Sequence, residues 1–276
     1  MTQHKLTVRE PVNRKRGFGF SDLWRTRDVA WLLALRDIKV KFRQTFIGFA
    51  WALIVPVVSL LLFSFVFGEM AGMPSDNLPY PLFLFLGLLP WQYFAKAVSL
   101  CGESITSNQQ LVKKVALPKL IFPLYCLLPP FVDFCISLFV LICLLLYYGT
   151  VLDFAVIILF PVLMLGLILT SLSVGIWIAA INVEYRDVRF GLPFALQMGF
   201  FITPIVYSPN AAPQSLQWWF GLNPLSSLVT GFRWAMGAGP APSWEFVLLS
   251  VGVTFVLFIS GVMYFRAREV YFVDRI

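Results

Sequence analysis

Apolar and polar positions in this chain alternate over whole helices, not residue by residue. Six stretches carry little or no charge: Phe46–Phe67, Leu78–Ala95, Leu120–Tyr148, Phe154–Ile181, Phe190–Tyr207 and Phe246–Phe265. At about 1.5 Å per helical residue, each is about long enough to cross a hydrocarbon layer of about 30 Å. The pattern predicts an all-α polytopic membrane protein with six transmembrane helices. Gly48 and Pro56 in the first span predict a bend there, since proline removes a backbone hydrogen bond.

Two segments depart from the spanning pattern. In Ser21–Arg43, Trp24, Trp31, Leu35, Ile38 and Phe42 share one side of a helical wheel, and Arg25, Arg36, Lys39 and Arg43 occupy a neighbouring side. A basic helix with a tryptophan-bearing stripe just before a span predicts an amphipathic interfacial helix over 21–45, lying among headgroups or packed on protein. The second segment, Ser208–Trp244, is too polar and too broken for a crossing, yet too apolar for a solvated loop. It holds Trp218, Trp219, Phe220, Phe232 and Trp234 between Pro209, Pro213, Pro224, Pro240 and Pro242. Two short re-entrant helices between spans 5 and 6 are expected, with an interfacial lid as the alternative. Residues 1–20 lack apolar periodicity and predict a flexible basic tail; residues 46–276 form the six-span domain.

Composition and charge follow this layout. The chain is 59% hydrophobic and 13% charged, with a mean hydropathy of +0.81. Nineteen of the 21 Lys and Arg residues fall on one side of the six-span map. The positive-inside rule makes that side cytoplasmic, with both termini on it. The opposite loops Gly68–Pro79 and Gly149–Asp153 contain no basic residue; the exceptions are Lys96, inside span 2, and Arg233, in the outer segment. A net charge of +7 therefore reflects topology and contact with anionic lipid, not nucleic acid. Cys101, Cys126, Cys135 and Cys143 lie in or beside spans without metal or disulfide spacing, and His4 sits in the polar tail. The long charged N-terminal segment does not read as a cleavable signal peptide.

Candidate chemistry is sparse. Lys96 and Glu103 are seven residues apart and share a helix face, and Asp133 lies in span 3. Ionisable groups at that depth are expected either on a substrate path or in bonds between helices. No Gly-Lys dipeptide occurs, so a Walker-type site is excluded, and no metalloprotease, nucleophile-elbow or Cys/His constellation is present. Neither a metal nor another cofactor is expected on this chain. Two inner loops, SNQQLVKKVALPKL and NVEYRDVRFGLP, are of mixed polarity and end in proline. The acids Glu184 and Asp187 beside Arg186 and Arg189 suit a docking surface better than a metal site.

The runs LRDIKVKFRQTFIGFAWALIVP, YPLFLFLGLLPWQYF, NQQLVKKVALPKLIFP, NVEYRDVRFGLPFALQMGFFITPIVYS and LNPLSSLVTGFRWA resemble, in order and spacing, the membrane subunit of ABC-2-type polysaccharide exporters. That resemblance implies a permease without enzymatic activity, working as a homodimer with two copies of a separate nucleotide-binding subunit that holds ATP and Mg. It implies transport of a polyprenyl-pyrophosphate-linked polysaccharide, O-antigen first, across the bacterial inner membrane. Capsule, teichoic acid or a small lipid or drug are alternative cargoes, and a membrane glycan-transferring enzyme is a more distant one. Coupling to the ATPase is then expected at Asn108, Lys113, Lys114, Pro118, Lys119, Glu184, Tyr185, Arg186 and Asp187. The substrate path is expected to draw on Arg36, Lys39, Lys41, Arg43, Lys96, Glu103, Asp133, Trp218, Trp219, Phe220, Arg233 and Trp234. One departure stands out: many relatives carry an aromatic and then Pro-Arg after the Lys-Val pair, where this chain reads Val115-Ala116-Leu117-Pro118-Lys119. Aromatic residues, 17% of the chain, are frequent in spans 1, 2 and 5 and offer surfaces on which sugar rings can slide.

The topology is testable with single-cysteine probes. Asp76→Cys and Asp153→Cys are expected to label from the periplasm, and Lys114→Cys and Arg186→Cys only after the cytoplasm is opened; periplasmic labelling at 114 would break the map.

Overall fold

The computed structural model describes residues 20–43, 49–76, 78–115, 117–150, 155–185, 187–209, 214–237 and 241–275. The basic tail over 1–19, Asp153 and Arg186 lie outside the described residues. In chain order the helices are α1 (Phe20–Arg25), α2 (Arg27–Arg43), α3 (Phe49–Phe63), α4 (Tyr80–Ser107), α5 (Gln109–Lys114), α6 (Ile121–Tyr125), α7 (Leu128–Tyr147), α8 (Ala155–Glu184), α9 (Val188–Ile202), α10 (Gln214–Leu222), α11 (Pro224–Ala235), α12 (Trp244–Arg268) and α13 (Phe272–Arg275). Among the described residues no strand occurs.

Five helices are long and apolar enough to cross a membrane: Ala50–Met70, Tyr80–Ser107, Ile121–Tyr147, Ile158–Glu184 and Trp244–Tyr271. The sixth, Val188–Ile202, has 15 residues and is shorter than the stretch Phe190–Tyr207 read from sequence. It ends because Thr203 turns extended and Pro204 follows, so the next residues run irregularly into the protein interior. Pro56 lies inside α3, and further along the winding changes where Ser64–Met70 becomes π-helical. α4 and α8 run past their apolar stretches and end in the polar loops.

Local chemistry explains the element boundaries. Prolines occupy the first turns of α4, α7 and α11, where no intrahelical N–H donor is lost. The Asn223 side chain caps α11 by accepting the Leu225 N–H at 3.1 Å. Gly149 and Gly237, at φ of 62° and 76°, close α7 and α11 in the left-handed conformation that side chains resist.

α4 is the axis of the molecule. In its apolar stretch 78% of positions are buried, against 11% for α3 and 17% for α12, so the latter two are peripheral. α4 and α8 approach closely through small residues, since hydrocarbon gives apolar side chains no drive to associate and packing must supply it. Ser171, Gly175 and Ala179 repeat every fourth residue on α8 and are buried against α4. A Cβ at Gly175 would come within 2.6 Å of the Cys101 Cβ, and one at Gly102 within 2.7 Å of the Ile178 side chain. Asn182 Nδ2 donates to the Gly102 carbonyl at 2.8 Å and fixes the register. α12 joins the other side of α8 through Trp177 Nε1 donating to Leu257 O at 3.1 Å and through the stacked Trp177–Tyr264 pair.

This packing generates a stability prediction. Gly175→Leu should force α4 and α8 apart and destabilise the protein by about 1–3 kcal/mol, the usual cost of overpacking. Thermal unfolding in detergent measures it, and an unchanged midpoint would contradict the contact.

Candidate functional site

Two depressions lie along the face where α3, α4, α7 and α9 come together, and they meet at Val55 and Lys96. The first, about 600 Å³, is bounded by α3, α4, α7 and the end of α2. The second, about 410 Å³, lies between α3, α4 and α9. Together they form a groove that is charged at one end and aromatic along the rest.

The charged end is built by three helices. Asp133, early in α7, exposes only 8% of its side chain. Lys41 of α2 donates to both of its carboxylate oxygens at 2.5 Å, and Lys96 of α4 donates to one at 3.2 Å. A nearly buried carboxylate is stable here because two ammonium groups replace its water. Both lysines remain half-exposed, and among the described lining residues two ammonium groups face one carboxylate. The partner of Lys96 is thus Asp133; Glu103, which shares its helix face, is exposed at the surface. Periodicity assigns a face without saying which helix meets it, and the packing of α4 on α7 decides the partner.

The aromatic part is a chain of ring contacts. Phe63 of α3 stacks on Phe200 of α9 at 5.4 Å, Trp91 of α4 meets Phe200 edge-on at 5.8 Å, and Phe200 meets Phe201 at 5.2 Å. Gly199 makes room for the indole, since a Cβ there would lie 3.0 Å from Trp91. Trp51 borders the charged end and is exposed, as is Phe201 at the other. Gln92 and Gln197 are the polar amides among these rings. Sequence reading missed Trp51, Trp91, Gln92, Gln197 and Phe200 individually; the two glutamines inside apolar spans were the available signal.

Of the four basic residues expected together on α2, only Lys41 reaches the groove. Arg36 donates to Asp37 at 2.8 Å and to the Asn108 carbonyl oxygen at 3.1 Å, while Lys39 and Arg43 face outward. Trp24 and Trp31 are exposed, whereas Leu33 and Ala34 are buried where α2 packs on α6 and α7. The two tryptophans of the stripe therefore point away from the protein, while Leu35, Ile38 and Phe42 are half-buried.

The segment between α9 and α12 folds as two short helices, α10 and α11. Arg233 of α11 is not a free cation on a path: it is 3% exposed. Its guanidinium lies 3.6 Å from the Phe83 ring centroid and donates to the carbonyls of Phe83, Pro204 and Ile205. The carbonyls freed where α9 breaks need donors away from water, and Arg233 supplies them. Its expected place on the substrate path is replaced by this structural role. Trp218 and Trp219 stack on each other at 4.6 Å and are half-exposed, and Phe220 lies 6.2 Å from Tyr207. Trp234 borders an apolar cavity of about 250 Å³ between α8, α11 and α12. None of these outer aromatics lines the groove within one chain.

The expected coupling residues divide into two groups. Lys113, Lys114, Tyr185 and Asp187 are exposed. Asn108, Pro118, Lys119 and Glu184 are held internally. Asn108, at the break between α4 and α5, donates to the Tyr125 hydroxyl at 2.8 Å and receives Arg36. Lys119 bonds Glu269: its N–H donates to Oε1 at 3.0 Å and its Nζ to the backbone oxygen at 2.7 Å. Glu184 accepts from the Tyr264 hydroxyl at 3.0 Å and pairs with Arg268 at 3.5 Å and Arg275 at 3.0 Å. Among the described residues no group of three or more His, Cys, Asp or Glu side chains is placed to hold a metal ion.

A bundle of apolar helices long enough to cross a membrane defines a multi-pass membrane protein. Residues 29–237 match the ABC-2 type transporter family, and the chain is a multi-pass membrane protein of that family. It is similar to the O-antigen export system permease protein RfbA of Myxococcus xanthus, at 28% identity over 260 residues, covering 92% of this chain and 98% of the relative. An RfbA permease of Klebsiella pneumoniae is 25% identical over 247 residues, covering 90% and 94%. The polysialic acid transport protein KpsM of Escherichia coli is 25% identical over 255 residues, covering 86% and 92%.

The Lys41–Asp133 contact can be measured. Asp133→Asn and Lys41→Met should each destabilise, and a double-mutant cycle of unfolding free energies should give a coupling of about 1–2 kcal/mol, between the values of exposed and buried pairs. Additive effects would show that the pair contributes nothing.

Proposed function

We propose that this chain is the permease subunit of an ATP-driven exporter of a polyprenyl-pyrophosphate-linked polysaccharide, O-antigen in the first instance, moving it from cytoplasm to periplasm. The observation that carries this reading is the groove: an aromatic wall with a cationic end, on a side of the molecule where α3 is scarcely covered. A sugar polymer presents apolar C–H faces in series, and rigid rings give it a surface without a deep minimum in which it would stall. Lys41 and Lys96 supply cationic company for the pyrophosphate at the groove end, with Arg36, Lys39 and Arg43 nearby on α2.

One chain provides half of such a channel, and a second copy facing α3 and α9 would close it. Two copies of a separate ATPase, carrying ATP and Mg, would act on the exposed α5 and the turn between α8 and α9 from the cytoplasm. The location is then the inner membrane, with both termini cytoplasmic. Similarity to KpsM favours capsule as the second reading of the cargo.

The test is photocrosslinking from inside the groove. A photoreactive amino acid at Phe201 should capture glycan during ATP-dependent export, and the sugars in the adduct distinguish O-antigen from capsule. Adducts with phospholipid alone, in a transporter that is exporting, would overturn the assignment of the path.

A further inference from the structure

We infer that the segment Glu269–Arg275 is a yoke joining the two loops on which the ATPase is proposed to act, so that they move as one body. The inference rests on that proposed coupling. Lys119 in the loop between α5 and α6 and Glu184 at the end of α8 are far apart in sequence. Both are bonded to the short segment that follows α12.

Three anchors hold that segment. At one end Glu269 binds Lys119 twice, once through its carboxylate to the Lys119 N–H and once through its carbonyl to Nζ. At the other end Arg275 reaches Glu184 at 3.0 Å, next to Arg268 and the Tyr264 hydroxyl. Between them Phe272 is buried, edge-on to Phe265 of α12 at 5.1 Å, with the Lys119 ammonium 5.9 Å from its ring. Ion pairs at a surface are weak by themselves. Here the backbone atoms of Lys119 and Glu269 take part, and a buried ring pins the middle, so the segment has a fixed shape rather than a mobile charge.

The mechanical consequence follows from what each end touches. α5 is a single exposed turn or two, separated from α4 by the Asn108 break and from α6 by an irregular loop. A push on Lys113 or Lys114 alone would be absorbed by that loop. With Lys119 tied to Glu269, displacement passes into α12 and, through Glu184, into α8. α6 also packs on α8, and the yoke extends that contact to the loop ends. Glu269 and Arg275 are therefore positioning residues for coupling, not ligands of the cargo.

The assembled transporter with its ATPase, reconstituted in proteoliposomes, provides the test, reading bound ATPase, ATP hydrolysis and export in parallel. In the double variant Glu269→Ala with Arg275→Ala, the ATPase should remain bound and hydrolyse ATP, while export per ATP falls about fivefold or more. Unchanged export per ATP would overturn the yoke, and so would loss of ATPase binding, which would make the segment part of the docking surface. A second variant guards against misfolding: Lys119→Cys with Glu269→Cys removes both side-chain ties, so its export per ATP should be low and should recover when a short thiol crosslinker rejoins the two ends. Export per ATP that is normal without the crosslink, or that the crosslink leaves low or lowers further, would also overturn the yoke. If the wild-type complex neither binds an ATPase nor exports with ATP, the exporter reading itself fails and the yoke falls with it; a working wild type beside an unaffected double variant removes the yoke alone.

Discussion

The close approach of α4 and α8 is the constraint from which the remaining structure follows. In a membrane the surrounding lipid is as apolar as leucine, so two helices stay together only if their backbones come near enough for dense packing. Gly102, Gly175, Ala179 and Ser171 permit that approach, and the Asn182 bond to the Gly102 carbonyl sets one register. Every other long helix is placed relative to this pair: α7, α3 and α9 on α4, and α12 on α8. α11 inserts against both, which is how Arg233 comes within reach of the carbonyls at the end of α9. The groove exists because α3 and α9 both pack on α4 while leaving Gln92, Lys96 and Leu100 on its flank partly exposed.

Polar contacts then connect this rigid pair to its periphery. The interfacial helix α2 is joined at two points, by Arg36 to Asn108 and by Lys41 to Asp133. One point lies at the hinge of α4 and α5, the other at the groove. A single helix therefore touches both the region proposed to receive the ATPase and the region proposed to receive the cargo. Burial of Asp133 would be costly without Lys41, so attachment of α2 and formation of the charged groove end are one event rather than two.

Much of the fold was legible in the sequence because the bilayer imposes a length scale on apolar runs. The five long crossings and the pair of short helices around Asn223-Pro224 emerge from hydropathy and proline placement. The sixth helix was read too long because Thr203–Tyr207 is apolar enough to belong to a span; its irregular backbone is sustained by Arg233, a donor from another element. The site was less legible. Lys96 and Asp133 were identifiable as unusual at their depth, but their pairing depends on which helices adjoin, and helical periodicity does not encode that. Glu269 and Arg275 gave no local signal: Lys119 and Glu269 meet across the chain, and their partners are chosen by the packing of α6, α8 and α12.

The asymmetry of burial carries the last step. α4 is enclosed on nearly all sides, whereas α3 and α9 present Trp51, Val55, Phe194, Phe201 and Ile202 outward. Exposed apolar residues in a spanning helix ordinarily need no partner beyond lipid. Here, however, they flank a groove whose charged end and glutamines are poor neighbours for acyl chains, since unmet polar groups are costly in hydrocarbon. A second surface that brings water or polar groups over the groove suits Gln92 and Gln197 where lipid does not. In the proposed dimer a facing copy of the same chain would do this with an equivalent groove, enclosing an aromatic-walled passage between two α4–α8 pairs. The polar residues inside the apolar face, more than its aromatic richness, are the physical reason to read it as half of a channel.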